Sequence, residues 1–334
     1  MSEEKIFITG GAGYVGSNLV PYLLSKGKKI TVYDTMYFTD RFLPSGNPNL
    51  NVIKGDIRDS LQLYEACKDH DVFVNLACIS NDASFELDER LSTSINLEAF
   101  EPMVLSAKKA GIKRFIYASS SSVYGVSSAK NVKEDHPLVP LTLYNKYKAE
   151  CEPLLLKHLD DEFKGVIFRP ATVCGYAPRM RLDLSVNILT NFAVNKNFIN
   201  VFGGSQLRPN LHVQDYAEVV NLFLEAPIEK INGQIFNVGY ENLSIYEIAK
   251  KVKNEVEHFN KLKNINIEIT ESNDNRSYHI NSDKIFDILG YKAKRGISDA
   301  TIEMISSFKK GLLKNSFEDD IFFNVKRIKN LSLK

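Results

Sequence analysis

Through its first half the chain alternates short runs of β-branched and aromatic residues with longer stretches of helical periodicity, beginning with Ile6-Phe7-Ile8-Thr9. The pattern predicts strands at about 4–9, 29–34, 51–55, 71–76, 114–119 and 164–169, and helices at about 14–26, 60–67, 88–110 and 142–159. Strands separated by helices cannot pair as hairpins. The expected fold is therefore α/β, with a doubly wound parallel sheet over residues 1–170 and helices on both its faces. Beyond about residue 170 the pattern is less regular, and 171–334 is expected to form a smaller mixed α/β lobe. A stretch at about 210–226, with a helix at 216–224, is expected to return to the first domain. The chain has no internal repeat and no low-complexity segment.

A chain of 334 residues, 44% hydrophobic and 25% charged, buries a large core and has room for two domains or one domain with an elaborated lobe. The formal charge of +1 gives no general attraction to nucleic acid, and no basic tract marks a phosphate-backbone footprint. An anionic ligand must then be held by local groups such as helix N-termini and individual arginines. The start, Met1-Ser2-Glu3-Glu4-Lys5, has no basic region or cleavable apolar segment, and no apolar run approaches the ~20 residues that cross a bilayer. Cys67, Cys78, Cys151 and Cys174 stand far apart and the six histidines are scattered. This argues for reduced cytoplasmic thiols, with no disulfide framework and no metal site.

Chemistry gathers where the predicted strands end. The first runs into Thr9-Gly10-Gly11-Ala12-Gly13-Tyr14-Val15-Gly16 ahead of a helix. Glycines three apart are spaced more loosely than the G-x-G-x-x-G dinucleotide fingerprint but meet the same needs: a tight turn, bare backbone beside a pyrophosphate, and close packing of helix on strand. N–H groups at the helix start then face the phosphates, which makes Gly10, Gly13, Tyr14, Val15 and Gly16 candidate cofactor contacts. The second strand ends on Asp34, 18 residues after Gly16. A carboxylate there accepts hydrogen bonds from both ribose hydroxyls and repels a 2′-phosphate, so NAD is expected over NADP; Arg41 is the one nearby cation that would complicate this. Asp56 and Ile57 follow the third strand, where an adenine would lie, and Asp59 reads as the N-cap of the next helix. Leu76 and Ala77 follow the fourth, at the sheet centre beside the middle of a cofactor. The polar run Cys78-Ile79-Ser80-Asn81-Asp82 is a candidate substrate-facing loop that presents Ser80.

The fifth strand passes into Ser119-Ser120-Ser121-Ser122-Val123-Tyr124-Gly125, and a helix then carries Tyr144-Asn145-Lys146-Tyr147-Lys148. Residues four apart share a helix face, so Tyr144 and Lys148 can act on one substrate atom. Alone the pair is weak evidence, because chance supplies on the order of one Tyr-x-x-x-Lys in such a chain. Taken together and in order, 9–16, Asp34, Gly55-Asp56-Ile57, Asn75-Leu76-Ala77, 119–125, 144–148 and Arg169-Pro170 resemble the extended short-chain dehydrogenase/reductase family, in its branch of NAD-dependent sugar-nucleotide epimerases and dehydratases. The resemblance covers nearly the whole chain. It implies a Rossmann-like domain that binds NAD, a lobe that binds a nucleoside diphosphate sugar, and a homodimer formed by the helices after strands four and five.

The resemblance also implies roles. Tyr144, as a phenolate, would take a proton from a sugar hydroxyl while hydride leaves the same carbon for NAD. Lys148 would favour the phenolate and hold the nicotinamide ribose, and Ser120 would hydrogen-bond the same sugar oxygen. Asn96 matches a helix asparagine used near the family's active site, although Ala99-Phe100 replace the Gly-Thr expected after it. Members that eliminate water carry carboxylates where Ser121 and Ser122 stand, and members that epimerise at C3 and C5 carry a cysteine at 122. The two serines, candidate substrate contacts, therefore point to redox at one carbon. In the lobe, Thr172 and Cys174 replace a family asparagine and tyrosine, and the cation-rich Pro178-Arg179-Met180-Arg181-Leu182-Asp183-Leu184 with Asn187 suits an anionic diphosphate. Arg208 and Arg276 align with phosphate-binding arginines. His212 reads as structural and Asp215 as a helix cap, and no role falls to the tail after Ser316. The expectation is a cytoplasmic NAD-dependent 4-epimerase of a nucleoside diphosphate sugar. A 4-dehydrogenase or ketoreductase, and a non-catalytic NAD-binding protein, are its rivals.

Overall fold

The computed structural model describes residues 4–80, 82–129, 131–261, 264–271 and 277–331. In chain order its first half comprises β1 (Lys5–Thr9), α1 (Tyr14–Ser25), β2 (Lys29–Asp34), β3 (Leu50–Lys54), α2 (Ser60–Cys67), β4 (Val72–Asn75), α3 (Asp82–Phe85), α4 (Glu89–Thr93), α5 (Phe100–Lys109), β5 (Arg114–Ala118), α6 (Leu143–Leu156) and β6 (Lys164–Pro170). Then come β7 (Thr172–Cys174), α7 (Ser185–Lys196), β8 (Phe198–Phe202), β9 (Leu207–His212), α8 (Val213–Glu225), α9 (Ile228–Ile231) and β10 (Gln234–Val238). The chain closes with β11 (Glu241–Ser244), α10 (Ile245–Asn260), β12 (Asn266–Thr270), α11 (Asp283–Leu289), α12 (Ile297–Lys309) and α13 (Asn324–Leu331).

The main sheet has seven strands in the order β10-β6-β5-β4-β1-β2-β3, all parallel. Successive residues of a strand point to opposite faces. Ile6 and Ile8 accordingly enter the core beside Leu19 and Val220, whereas Phe7 enters the other core beside Leu63 and Met103. With both faces covered, the central strands read as unbroken apolar runs, the sequence character of a buried parallel sheet. Two smaller sheets, β11-β9-β7 and β12-β8, form the lobe, with a separate core that includes Leu189 of α7, Val252 of α10 and Ile305 of α12.

Two differences from the sequence reading bear on the site. The single helix expected at 88–110 is broken by a π-helical turn at Ser94–Glu98, between α4 and α5. Such turns are rare and tend to re-aim a side chain; here the turn presents Asn96. The segment that returns to the sheet is also longer than 210–226. Helix α8 packs on α1, and β10 then adds a strand beside β6.

A buried ion pair fixes α6 against the sheet. Arg169, at the end of β6, donates from Nε and Nη2 to Glu152 of α6 at 2.9 and 2.6 Å, and both side chains are 3% exposed. Ser119 donates to the same carboxylate, and Arg169 also donates to Tyr124. The network ties the 119–125 turn to α6, and so sets the relation between the serines and the helix bearing Tyr144.

Candidate active site

The C-terminal ends of the parallel strands open into a cleft of about 940 Å³ between the main sheet and the lobe. This is at the upper end of the volume of small-molecule sites, and it lies where ligands bind in open α/β sheets. Gly10, Gly13, Tyr14, Val15 and Gly16 line it at the start of α1. Gly10 has φ +74°, and a Cβ there would stand 2.6 Å from the Ala77 nitrogen, so only glycine lets the turn approach the end of β4. No side chain caps the N-terminus of α1. Asp34 accepts from the backbone N–H of Ala12 at 3.0 Å and of Met36 at 2.8 Å, and lines the cleft beside the turn. Burial raises its pKa, against the pull of those two N–H groups. Ile57, Leu76 and Ala77 line the cleft as well. Asp56 does too, but Arg58 already chelates its carboxylate, with Nη2 at 2.6 Å. Burial opposes ionisation of Asp56, yet the Arg58 hydrogen bonds hold its pKa below the usual range. Asp59 caps α2 through the Gln62 N–H.

Tyr144, Lys148 and Ser120 all face this cleft. The chain holds three other Tyr-x-x-x-Lys pairs: Tyr22/Lys26, Tyr64/Lys68 and Tyr246/Lys250. In each of these the ammonium sits over its own partner ring, at 5.6, 4.6 and 4.9 Å, and none lines the cleft. Lys148 differs. Its Nζ donates to Ala118 O at 2.8 Å at the end of β5 and lies 5.2 Å from the Tyr117 ring, on the inner side of α6. Thr142 caps α6 through the Asn145 N–H and so fixes where the helix begins. Ser120 Oγ is 2.8 Å from Ser122 Oγ, Ser122 donates to Asn145 Oδ1 at 2.5 Å, and Ser121 Oγ is 3.4 Å from the Tyr278 hydroxyl. Burial raises the pKa of Tyr144 well above that of a free phenol, and Cys78 and Asp82 raise it further while Arg181 lowers it. Such a phenol needs a positive charge brought beside it before it can act as a base.

Thr172 and Arg208 line the cleft from the lobe, and Ser80 lines it from the loop after β4. Ser80 accepts from Arg181 Nη1 at 3.0 Å and from Asn324 Nδ2 at 3.1 Å. Asn187 does not reach the cleft. It is fully buried, donates to Tyr14 and to Arg181 O, and accepts from the Gly175 N–H, so it ties the lobe to α1. Asn96 also stays outside. Its amide accepts from the Ile79 N–H and donates to Ile79 O, both at 2.8 Å, and so positions the loop that carries Cys78 and Ser80. Arg276 lies outside the described residues.

His212 is buried and caps α8 by accepting from the Gln214 N–H. Asp215 is therefore not the cap. It binds the backbone of Lys294 and Arg295 and the Arg295 guanidinium. Arg41 pairs with Asp319; the guanidinium that acts on Asp34 is Arg179, from the lobe. The cleft also receives Arg179, Arg181 and Asp183 from the cation-rich run and Cys78 and Asp82 from the polar loop after β4, together with Glu86, Tyr278 and Asn324, which the sequence had not marked as site residues. Carboxylates thus reach the cleft even though positions 121 and 122 hold serines. The signal for Arg179, Arg181 and Asp183 was the concentration of cations at 178–184. Among the described residues no cluster of His, Cys, Asp and Glu could hold a metal ion, and no helix is long and apolar enough to cross a membrane.

A dinucleotide fits these features, with an uncapped helix start for its diphosphate and a carboxylate at the end of β2 for a ribose. Comparison with known proteins agrees. Residues 6–239 match the NAD dependent epimerase/dehydratase family, and the chain belongs to that family. NAD is the cofactor that goes with this membership. The chain is 30% identical over 256 residues to the low-salt glycan biosynthesis protein Agl12 of Haloferax volcanii, covering 74% of this chain and 81% of that protein. It is 26% identical over 272 residues to a UDP-glucose 4-epimerase of Lactobacillus helveticus, again covering 74% and 81%. The dTDP-glucose 4,6-dehydratase DesIV of Streptomyces venezuelae, solved with NAD and TYD bound, shares the fold at a TM-score of 0.83 and 20% identity, over 95% of this chain and 99% of that one.

Proposed function

We propose that the protein is an NAD-dependent epimerase of a nucleoside diphosphate sugar, working through a ketone formed at C4. The observation that carries this reading is that, of four Tyr-x-x-x-Lys pairs, only Tyr144 and Lys148 open into the cleft shared by the glycine turn, Asp34 and the lobe. NAD, when bound, supplies the acceptor and later the donor of hydride. Tyr144 takes the proton of the C4 hydroxyl and returns it when the alcohol re-forms. The Lys148 ammonium, fixed by Ala118 O, stabilises the phenolate that burial otherwise disfavours. Ser120 hydrogen-bonds the reacting oxygen and is itself oriented by Ser122. Thr172 and Arg208 contact the sugar nucleotide from the lobe, with Ser80, Ser121 and Ser122 on the sheet side. A homodimer through the helices that follow β4 and β5 belongs to the same proposal and is tested by sedimentation.

Asp82 favours a second reading. It lines the cleft and acts on Tyr144, so a carboxylate is at hand for proton transfer at a carbon next to the ketone, as an elimination requires. One experiment separates the possibilities. The purified protein is incubated with a panel of nucleoside diphosphate sugars, and product mass, product configuration and NADH are measured. A C4 epimer of unchanged mass without net NADH is expected. Stoichiometric NADH would instead define a dehydrogenase, and loss of water a dehydratase.

A further inference from the structure

We propose that Arg179, positioned by Asn324, is an additional ligand of the cofactor diphosphate, and that it makes the C-terminal segment a latch that retains NAD. The proposal rests on the reading that the cleft binds NAD. Arg179 follows β7, yet its backbone N–H donates to Ser17 Oγ of α1 at 3.0 Å, so the residue is moored on the helix that begins at the glycine turn. Its side chain is 1% exposed, lines the cleft, and lies 3.8 Å over the Phe38 ring. Only Nη2 is hydrogen-bonded, to Asn324 Oδ1 at 2.6 Å, while Nε is buried without a partner. Arg181, two residues on, is the contrast. Its guanidinium is engaged by both oxygens of Asp183 and by Ser80.

A guanidinium buried with open donors and no carboxylate in contact is unfavourable until an anion reaches it. Burial lowers the pKa of Arg179 to about 9, although Asp183 and Asp34 act in the opposite direction. The same cleft holds the start of α1, a twelve-residue helix with no side-chain cap, whose N-terminus attracts negative charge. Two independent donor sets therefore point to one anion. The neighbours of Arg179 identify it as the cofactor's: Ser17, Phe38 and Asp34 belong to the glycine-turn side, whereas Arg208 lies on β9 in the lobe.

Asn324 holds the guanidinium and is itself held. Its backbone N–H donates to Asp183 at 3.0 Å and its Nδ2 to Ser80 at 3.1 Å. Arg327, one turn further, donates to Tyr37 O at 2.8 Å in the loop after β2, and Phe322 O accepts from the Leu182 N–H at 2.9 Å. The segment is thus anchored to the loops after β2 and β4 and to the lobe. A cofactor diphosphate bound to Arg179 leaves only when this set of bonds opens, as suits a reaction that returns hydride to the same sugar.

The test uses full-length protein stripped of nucleotide. Calorimetric titration with NAD, ADP-ribose, adenosine and UDP compares the wild type with Arg179→Met and Arg179→Lys, and chase with excess NAD follows NADH release by fluorescence in Asn324→Ala. Arg179→Met is expected to weaken NAD and ADP-ribose roughly 30-fold, in line with loss of charged hydrogen bonds, with adenosine and UDP unchanged. Arg179→Lys is expected to recover part of that loss. NADH release from Asn324→Ala is expected to be roughly tenfold faster. Equal losses for adenosine and ADP-ribose would make Arg179 structural, a loss confined to UDP would give it to the substrate, and release at the wild-type rate would remove the latch; each overturns the proposal. If Arg179→Met fails to fold, the lysine variant and the release rate decide. A wild type that binds no NAD would overturn the functional reading itself.

Discussion

The sheet half and the lobe build the same cleft by different means. In the sheet half many contributors follow a strand end within a few residues: the glycine turn after β1, Asp34 closing β2, Leu76 and Ala77 after β4, the serines after β5, with Tyr144 and Lys148 added one turn apart on α6. A parallel sheet aligns those ends along one edge, so position in the chain nearly dictates position in the site. On the lobe side the contributors are set by partners far away in sequence. Arg181 meets Ser80 across 101 residues, Arg179 meets Asn324 across 145, and Arg327 meets Tyr37 across 290. The sheet half therefore builds its part of the cleft from segments legible as motif, and the lobe builds its part through contacts that no local pattern records.

The strongest test of that contrast is at Tyr144. Tyr144→Phe is expected to lower turnover about 10²–10⁴-fold while NAD affinity, measured by calorimetry, is unchanged; near-normal turnover would dissolve the catalytic role of the sheet half. Next comes Asn187, which the lobe uses as scaffold. Asn187→Leu strands the Gly175 N–H and the Arg181 carbonyl and leaves the Tyr14 hydroxyl with its bond to Gly175 O alone, and is expected to cost about 3 kcal/mol in urea unfolding, with the sugar-nucleotide KM little changed. A large KM effect at full stability would return Asn187 to the substrate site.

A smaller effect is expected at Asn96. Asn96→Ala removes both bonds to Ile79 and is expected to cost about 1–3 kcal/mol, with faster hydrogen exchange in the Cys78–Ser80 loop as the specific readout. The smallest effect concerns pH. Asp82 raises the pKa of Tyr144, so Asp82→Asn should favour the phenolate and move the acid limb of the kcat/KM profile to lower pH. A limb that stays in place would mean that another group titrates there.

Much of this was readable before any coordinates. Observed boundaries of the first six strands fall within one or two residues of those expected; for the central ones the reason is that strands buried on both faces must be largely apolar, whereas the edge strand β3 has no buried residue and was marked by its β-branched residues. The π turn at Ser94–Glu98 was not readable, since the partner of the Asn96 side chain it carries is the Ile79 backbone, 17 residues away. Asp215 looked like a cap because it lies near a helix start, but His212 begins that helix and Asp215 faces Arg295 instead. The serines at 121 and 122 did report the missing carboxylates at those positions. They carried no information about Asp82, which reaches the cleft from another segment.

By itself the sequence determined the α/β architecture, the glycine turn, Asp34 and the Tyr144–Lys148 face, because each depends on periodicity or on residues within a turn of one another. Tertiary structure decided which Tyr-x-x-x-Lys pair meets the cleft, that Asn187 and Asn96 are scaffold, and that Arg179 is left with an open donor under a C-terminal segment that had seemed without a role. Those outcomes depend on which distant groups satisfy which hydrogen bonds, and burial makes that accounting a property of the whole fold.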